Sequence, residues 1–330
     1  MNYEVSLFHR WRTLMSPPPN ASRAIPSSVA VIESKPKPIY FGAEIQRGVM
    51  DRGRPSRTAF GAAAFRAAHQ IVDQGNIFND PYALAILGER AAAAIEEIAA
   101  VSSNQVMRLF IATRSRVAED CLSAAVARGV RQAVILGAGL DTFSLRNPHS
   151  ELGLRVFEVD HPSTQQWKRR HLEALGLNIA PSVAFAPVDF ERQTLTDGLA
   201  AAGFRCDRPA FFIWLGVVPY LRRETVSTTL QTIAGMPMAE VVFDYSEPLE
   251  NYSPARRPIV TARAADAASA GEPWLSFFDP RELQMELLEM KFEDIEDLGL
   301  PELAARYFSD LALEANDGPG PHLIRARRLD

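Results

Sequence analysis

Cysteine is nearly absent: the 330-residue chain has two, Cys121 and Cys206, 85 positions apart, with no CxxC or Cys/His cluster. That excludes a disulfide framework and a structural zinc site. Long apolar runs are also missing. The longest, from Phe211 to Leu221 and interrupted by Pro219, is far short of the ~20 residues that span a bilayer. Excess positive charge is lacking too. With 35 basic and 40 acidic residues the net charge is −5, which argues against nucleic acid as a partner, because phosphate binding needs a basic face. These absences describe a reduced, soluble, cytoplasmic protein with no membrane partner. At 36.4 kDa and 47% apolar residues, the chain is long enough to bury a substantial core.

Charge and proline are unevenly spread. Residues 1–57 carry nine basic and four acidic side chains and seven of the 23 prolines, including Pro17-Pro18-Pro19. Residues 1–55 therefore read as a flexible Pro- and Arg-containing leader, either a transit peptide or an over-extended start. Residues 56–330 read as one domain, with a helical lid over 56–130 and a core with cover insertions over 131–330. Helical spacing covers Thr58–Gln70, Glu89–Val101 and Leu109–Arg128. Asp80 followed by Pro81 reads as a helix start.

From residue 132 onward strands and helices alternate. Segments 132–136, 155–159, 183–188, 210–215 and 239–245 read as strands, the fourth almost wholly apolar, with helices at 163–175, 195–202, 223–234 and 279–290 between or after them. Such alternation predicts an α/β fold with a parallel sheet covered on both faces. Two later strands, 292–298 and 322–328, would add an antiparallel edge hairpin.

The chemistry-bearing residues fall at strand ends. Leu136-Gly137-Ala138-Gly139-Leu140-Asp141-Thr142 follows the first strand, and glycines there let the backbone turn tightly against a ligand. A dinucleotide fingerprint wants a third glycine at 142, where this chain has Thr, so the loop suits a ligand without a pyrophosphate. Asp160 ends the second strand, 23 positions after Gly137, where a carboxylate can accept from both ribose hydroxyls or cap the next helix. Glu158 shares its face. Asp189-Phe190 after the third strand suits an adenine. Together these describe a nucleoside pocket without phosphates, as S-adenosylmethionine requires.

The segments LGAGLDT, VFEVDHP, VDF and FFIWLGVVPYL, in that order, resemble the leucine carboxyl methyltransferase-like class I methyltransferases, in the bacterial O-methyltransferase branch. SRTAFGAAAFRAAHQ and FNDPYAL upstream and GEPWLSFFDP downstream extend the resemblance from about Ser56 to the C-terminus. It implies a Rossmann-like seven-stranded sheet with helices on both faces, a helical N-terminal lid and S-adenosyl-L-methionine as methyl donor. By the same resemblance Gly137, Ala138 and Gly139 line the methionine part, Asp160 and Glu158 take the ribose, and Asp189 and Phe190 take the adenine. Arg66 and Arg114 bind the methionine carboxylate, with Arg116 the competing register for Arg114. Many family members carry Glu after the strand-four Trp. Here the run is Trp214-Leu215-Gly216, so that contact is lost and Trp214 and Leu215 are expected as apolar walls.

The expected reaction is in-line O-methylation of a small-molecule carboxylate or hydroxyl, in which the protein mainly aligns the reactants. A carboxylate needs no general base; a hydroxyl does. Tyr220 is the weak catalytic candidate, and His161 and His69 are bases by residue type only. Arg57 at the lid mouth would attract an acidic acceptor, and Asp244 either faces the acceptor or caps a helix. No metal site is expected, since Asp189 is committed to adenine and one further carboxylate is a poor site. The alternatives are a protein C-terminal carboxyl methyltransferase and a non-catalytic nucleoside-binding protein. An NAD-dependent oxidoreductase fits less well, because the third glycine and a Tyr-x-x-x-Lys pair are both absent.

Overall fold

The computed structural model describes residues 56–189, 193–309 and 319–329, all within one compact unit. The leader expected over 1–55 and the adenine contact expected of Phe190 lie outside the described residues.

Three helices come first: α1 (Arg57–Val72), α2 (Ala91–Ala99) and α3 (Asn104–Ala127). Ser56 caps α1 by accepting from the Ala59 amide at 3.2 Å. The helix start expected at Asp80-Pro81 is instead a turn, followed by a 3₁₀ helix over Ala85–Arg90. Asp80 is drawn inward: its Oδ2 accepts from Thr142 Oγ1 at 2.7 Å and from Arg66 Nε at 3.4 Å, while Oδ1 accepts from the Tyr82 amide at 3.0 Å. Arg108 of α3 binds both oxygens of Asp73 at 2.6 and 2.9 Å, and so ties α3 to the end of α1.

The sheet follows. Its strands are β1 (Gln132–Leu136), β2 (Arg155–Asp160), β3 (Val183–Pro187), β4 (Phe211–Trp214), β5 (Glu240–Ser246), β6 (Asp294–Leu298) and β7 (Pro321–Arg327), ordered 3-2-1-4-5-7-6. The first five pair in parallel, and β7 runs antiparallel between β5 and β6. This is the seven-stranded Rossmann-like sheet that the resemblance implies. β6 and β7 do pair antiparallel, but β6 alone forms the edge, and a short unforeseen helix, α10 (Leu300–Tyr307), lies between them in the chain.

The intervening helices are α4 (Phe143–Arg146), α5 (Pro162–Ala174), α6 (Leu195–Ala201), α7 (Arg223–Ala234), α8 (Arg257–Ser269) and α9 (Pro280–Glu289). Asp279 caps α9, accepting from the Arg281 and Glu282 amides, with Pro280 at the first position.

β1 is buried along its whole length, as a central parallel strand must be. Its alternate residues feed two cores. Ala133 and Ile135 join Phe211, Ile213 and Val242 against Leu109, Phe110 and Leu122 of α3. Val134 and Leu136 join Phe212, Trp214 and Phe243 against Val226 and Leu230 of α7 and Leu283 and Leu287 of α9. Strand parity thus decides which core each side chain serves.

Candidate functional site

A cavity of about 250 Å³ opens beyond the carboxyl ends of β1, β2 and β4. Parallel α/β sheets place ligands there, because the chain leaves each strand toward a helix on one face or the other.

The floor is the β1 turn, Leu136 to Asp141. Gly137 has φ +65°, and a Cβ on it would stand 2.4 Å from Val217 Cγ2. Only glycine gives both the left-handed backbone and that approach. Asp160 closes the turn, its Oδ2 accepting from the Gly139 amide at 2.5 Å and its Oδ1 from the His161 amide at 2.6 Å. Each carboxylate oxygen has two lone pairs, so each keeps one for a ligand hydroxyl. Burial pushes the Asp160 carboxyl above the usual carboxylate range, against the pull of those two amides.

Two buried arginines reach the cavity from the lid helices. Arg66 of α1 binds Asp80 and the Leu140 carbonyl, at 2.6 Å for the latter, through Nε and Nη2. Arg114 of α3 gives Nη1 to Asp244 Oδ2 at 2.7 Å. Arg116 points away and pairs with Asp120 on the exposed face, so Arg114 is the register that reaches the cavity.

The remaining wall comes from Ser56, Thr58, Ala59 and Ala62 of the lid, from Leu215, Gly216, Val217 and Tyr220 after β4, and from Glu272. Burial raises the Tyr220 phenol above its ordinary value, so it holds its proton at neutral pH. Glu272 lies on the segment after α8. Its Oε2 accepts from the Thr58 amide at 3.1 Å, in the first turn of α1, where free amides and the helix dipole favour a carboxylate. That segment is pinned to the turn bearing Tyr220: the Leu275 amide donates to the Pro219 carbonyl at 2.6 Å, and Ser276 Oγ donates to the Val218 carbonyl at 2.9 Å.

Of the residues expected from sequence, Arg66, Arg114, Gly137, Ala138, Gly139, Asp160 and Tyr220 line one cavity. Glu158 does not. It shares the Asp160 face of β2 but sits deeper and fully buried, where Oε2 accepts from Lys168 Nζ at 2.8 Å and Oε1 from Ser144 Oγ at 2.5 Å. It is fully buried and outside the cavity lining, so it does not reach a ribose held there. Trp214 is also corrected: its parity on β4 turns it into the opposite core, 6.0 Å from the Phe243 ring, and only Leu215 forms a wall. Asp189 lies just beyond β3, outside the cavity wall as formed, and Arg57 is not part of that wall.

Both histidines act locally. His69 Nε2 faces the Ile77 and Phe78 amides at 3.3 Å each, and its Nδ1 meets Asp73 at 2.9 Å. His161 caps α5.

Two contributions were not legible as such in the sequence. Asp244 neither caps a helix nor points freely into the cavity; it holds Arg114. Glu272 sits in the GEPW segment, but nothing in the sequence puts it against α1. No group of three or more His, Cys, Asp or Glu could hold a metal ion among the described residues. Among them, too, no helix is long and apolar enough to cross a membrane.

The donor set fits S-adenosylmethionine: a glycine turn, a carboxylate at the end of β2 and two guanidinium groups suit a nucleoside joined to an amino acid, with no phosphate cradle.

The chain is similar to known proteins. The model of the family described as leucine carboxyl methyltransferase matches residues 59–234. A Bacillus subtilis protein named "Putative S-adenosyl-L-methionine-dependent methyltransferase YktD" is 32% identical over 260 residues, covering 71% of this chain and 85% of its own. A Mycolicibacterium paratuberculosis protein named "Putative S-adenosyl-L-methionine-dependent methyltransferase" is 30% identical over 299 residues, covering 82% and 94%. Among solved structures, one described as a "putative methyltransferase" from Thermobifida fusca YX aligns with a TM-score of 0.52 at 15% identity, covering 84% of this chain and 96% of that one, a likeness of fold alone. The chain therefore belongs to the leucine carboxyl methyltransferase family.

Proposed function

We propose that this S-adenosylmethionine-dependent methyltransferase transfers its methyl group to an oxygen of a small molecule, a carboxylate or a hydroxyl, by in-line displacement. The observation that carries the reading is one cavity of about 250 Å³ whose lining brings the cofactor-type residues together with Leu215, Val217, Tyr220 and Glu272. The run Trp214-Leu215-Gly216, without the Glu that follows this Trp in many family members, supports a small acceptor over a polypeptide tail.

The bound cofactor supplies a methyl group already activated on a sulfonium. The chain's work is binding and alignment. In this reading the lone pairs of Asp160 left over from Gly139 and His161 take the two ribose hydroxyls. The remaining donors of Arg66 and Arg114 take the amino-acid carboxylate, and the Gly137–Gly139 backbone passes close to the methionine part. Asp189, one strand beyond Asp160, and Phe190 beside it would take the adenine.

Tyr220 keeps its proton, so it acts as a donor that orients the acceptor oxygen and not as a base. A carboxylate acceptor arrives ionised and needs no base. For a hydroxyl acceptor, Glu272 is the carboxylate in the same wall that can take the proton. We assign the reaction to the cytoplasm and give it no nucleic-acid or membrane partner, on charge and composition.

The test is calorimetric titration of S-adenosylmethionine and S-adenosylhomocysteine into the wild type and Asp160→Ala. It is followed by a screen of small carboxylic acids, phenols and a C-terminal peptide for S-adenosylhomocysteine release. Binding lost in the variant, and turnover with a small acceptor, is the expected result. Turnover with the peptide alone would replace it with protein carboxyl methylation. No binding of either ligand by folded wild type would overturn the reading.

A further inference from the structure

The ion pair between Arg114 and Asp244 joins residues 130 positions apart, from the middle of α3 to the end of β5. Both residues are buried, at 8% and 5% exposure. The Asp244 carboxylate is shared: Oδ2 accepts from Arg114 Nη1 at 2.7 Å, and Oδ1 accepts from the Gly216 amide at 2.5 Å. Gly216 sits at φ +70°, and a Cβ on it would come within 2.8 Å of Arg114 Nη2. The Phe110 ring, one helical turn earlier, has its centroid 6.0 Å from the guanidinium carbon. The guanidinium is thus fixed by a carboxylate, a bare backbone turn and a ring, and it still lines the cavity.

An unrestrained arginine loses side-chain entropy when a ligand immobilises it, and that ligand binds more weakly. Asp244 stands on β5, an inner strand of the sheet, and uses one of the five guanidinium N–H donors. The other donors remain for a ligand carboxylate. The same aspartate fixes the amide of Gly216, in the turn that carries Leu215 and Val217 and leads to Tyr220.

We propose that Asp244 is a positioning residue, which holds Arg114 in the orientation that binds the amino-acid carboxylate of the cofactor and locks the β4 turn to that same arginine. This rests on the methyltransferase reading. It predicts that Asp244 matters only for ligands that carry the amino-acid part.

The experiment compares two probes by calorimetry. S-adenosylhomocysteine has the carboxylate; 5′-methylthioadenosine has the nucleoside and thioether without it. Both are titrated into wild type, Asp244→Asn, Arg114→Gln, the double variant and Gly216→Ala. Asp244→Asn is expected to weaken S-adenosylhomocysteine by roughly tenfold, the scale of one hydrogen bond to a charged group, and to leave 5′-methylthioadenosine within about twofold. The double variant should bind S-adenosylhomocysteine no more weakly than Arg114→Gln alone. Gly216→Ala, which crowds the guanidinium from the other side, should repeat the selective loss and serves if Asp244→Asn does not fold.

Equal weakening of both probes would show a general structural role and overturn the proposal, as would no change with either. Tighter binding of S-adenosylhomocysteine to Asp244→Asn would show that Asp244 competes for Arg114, and would overturn it too. Additive losses in the double variant would mean that Asp244 acts without Arg114. If wild type binds neither probe, the methyltransferase reading itself falls, and this proposal with it. If wild type binds both and only the Asp244 pattern fails, that reading stands.

Discussion

The Gly139 amide donates to Asp160 Oδ2 at 2.5 Å, which makes the glycine turn after β1 and the acidic end of β2 one structural unit. Neither half is a binding site alone. The turn needs a carboxylate to satisfy its amide, and the carboxylate needs the turn to aim its free lone pairs into the cavity.

Asp160→Ala should therefore remove cofactor binding. Two hydroxyl–carboxylate bonds at about 1.5–3 kcal/mol each correspond to a loss of roughly 100-fold or more. Titration of S-adenosylhomocysteine measures it, and retention of full affinity would remove Asp160 from the ribose role.

Gly137→Ala should destabilise the fold. The Cβ meets Val217 Cγ2, on a β-branched side chain with little freedom to move, and the backbone is left-handed. Strain and overpacking together cost about 2–3 kcal/mol. For a domain of this size that lowers Tm by roughly 4–10 °C, readable by calorimetry.

Lys168→Met should leave Glu158 buried without its counter-charge. Removing one member of a buried pair costs about 3–5 kcal/mol. The double variant Lys168→Met with Glu158→Met should recover much of that loss in urea unfolding, because both charges are then gone. A double variant less stable than the single one would show that the pair stabilises on its own account.

His322 should make stability depend on pH. Its Nδ1 and Nε2 each lie 3.0 Å from a carboxylate oxygen, of Asp297 and Glu247, and its ring stacks on Tyr245 with centroids 4.9 Å apart. Burial opposes the charged ring, but the two carboxylates outweigh it and raise the pKa above the ordinary value. A histidine with a raised folded pKa adds stability that is fully present below its unfolded pKa, about 6.5, and lost as pH rises through the folded one. The gap in unfolding free energy between wild type and His322→Gln should be largest near pH ~6 and narrow by pH ~9. A gap that widens with pH would reverse the sign of this argument.

Tyr220→Phe should separate binding from turnover. The phenol stays protonated and lies in the wall expected to face the acceptor. Its loss should lower kcat by roughly tenfold to a hundredfold and leave S-adenosylhomocysteine affinity within about twofold. Steady-state kinetics with an acceptor from the screen, paired with titration, gives both numbers.

The sheet strands, most of the helices packed on them and the floor of the site were legible in local sequence pattern. QAVIL is apolar from Ala133 to Leu136, so it reads as a strand buried on both faces, and β1 spans Gln132–Leu136. The spacing from Gly137 to Asp160 is set by one strand–helix–strand unit, so the turn and the carboxylate were readable together. Arg223–Ala234 matches its periodicity because one face packs on the sheet. These features depend on neighbours a few positions away.

What the tertiary structure alone decided depends on distant partners. Glu158 and Asp160 share a face of β2, yet the first is buried against Lys168 and the second holds the Gly139 amide at the cavity. Trp214 and Leu215 are adjacent, but the two-residue period of β4 sends the first into the core and leaves the second at the cavity. Arg114 and Arg116 are two positions apart on α3, and the pairing of Arg114 with Asp244 130 residues away decides which one turns inward. Glu272 reaches Thr58 across 214 positions. Short-range periodicity fixes which residues form a helix or a strand, whereas a polar contact between remote segments exists only once packing has brought them together and removed the competing water.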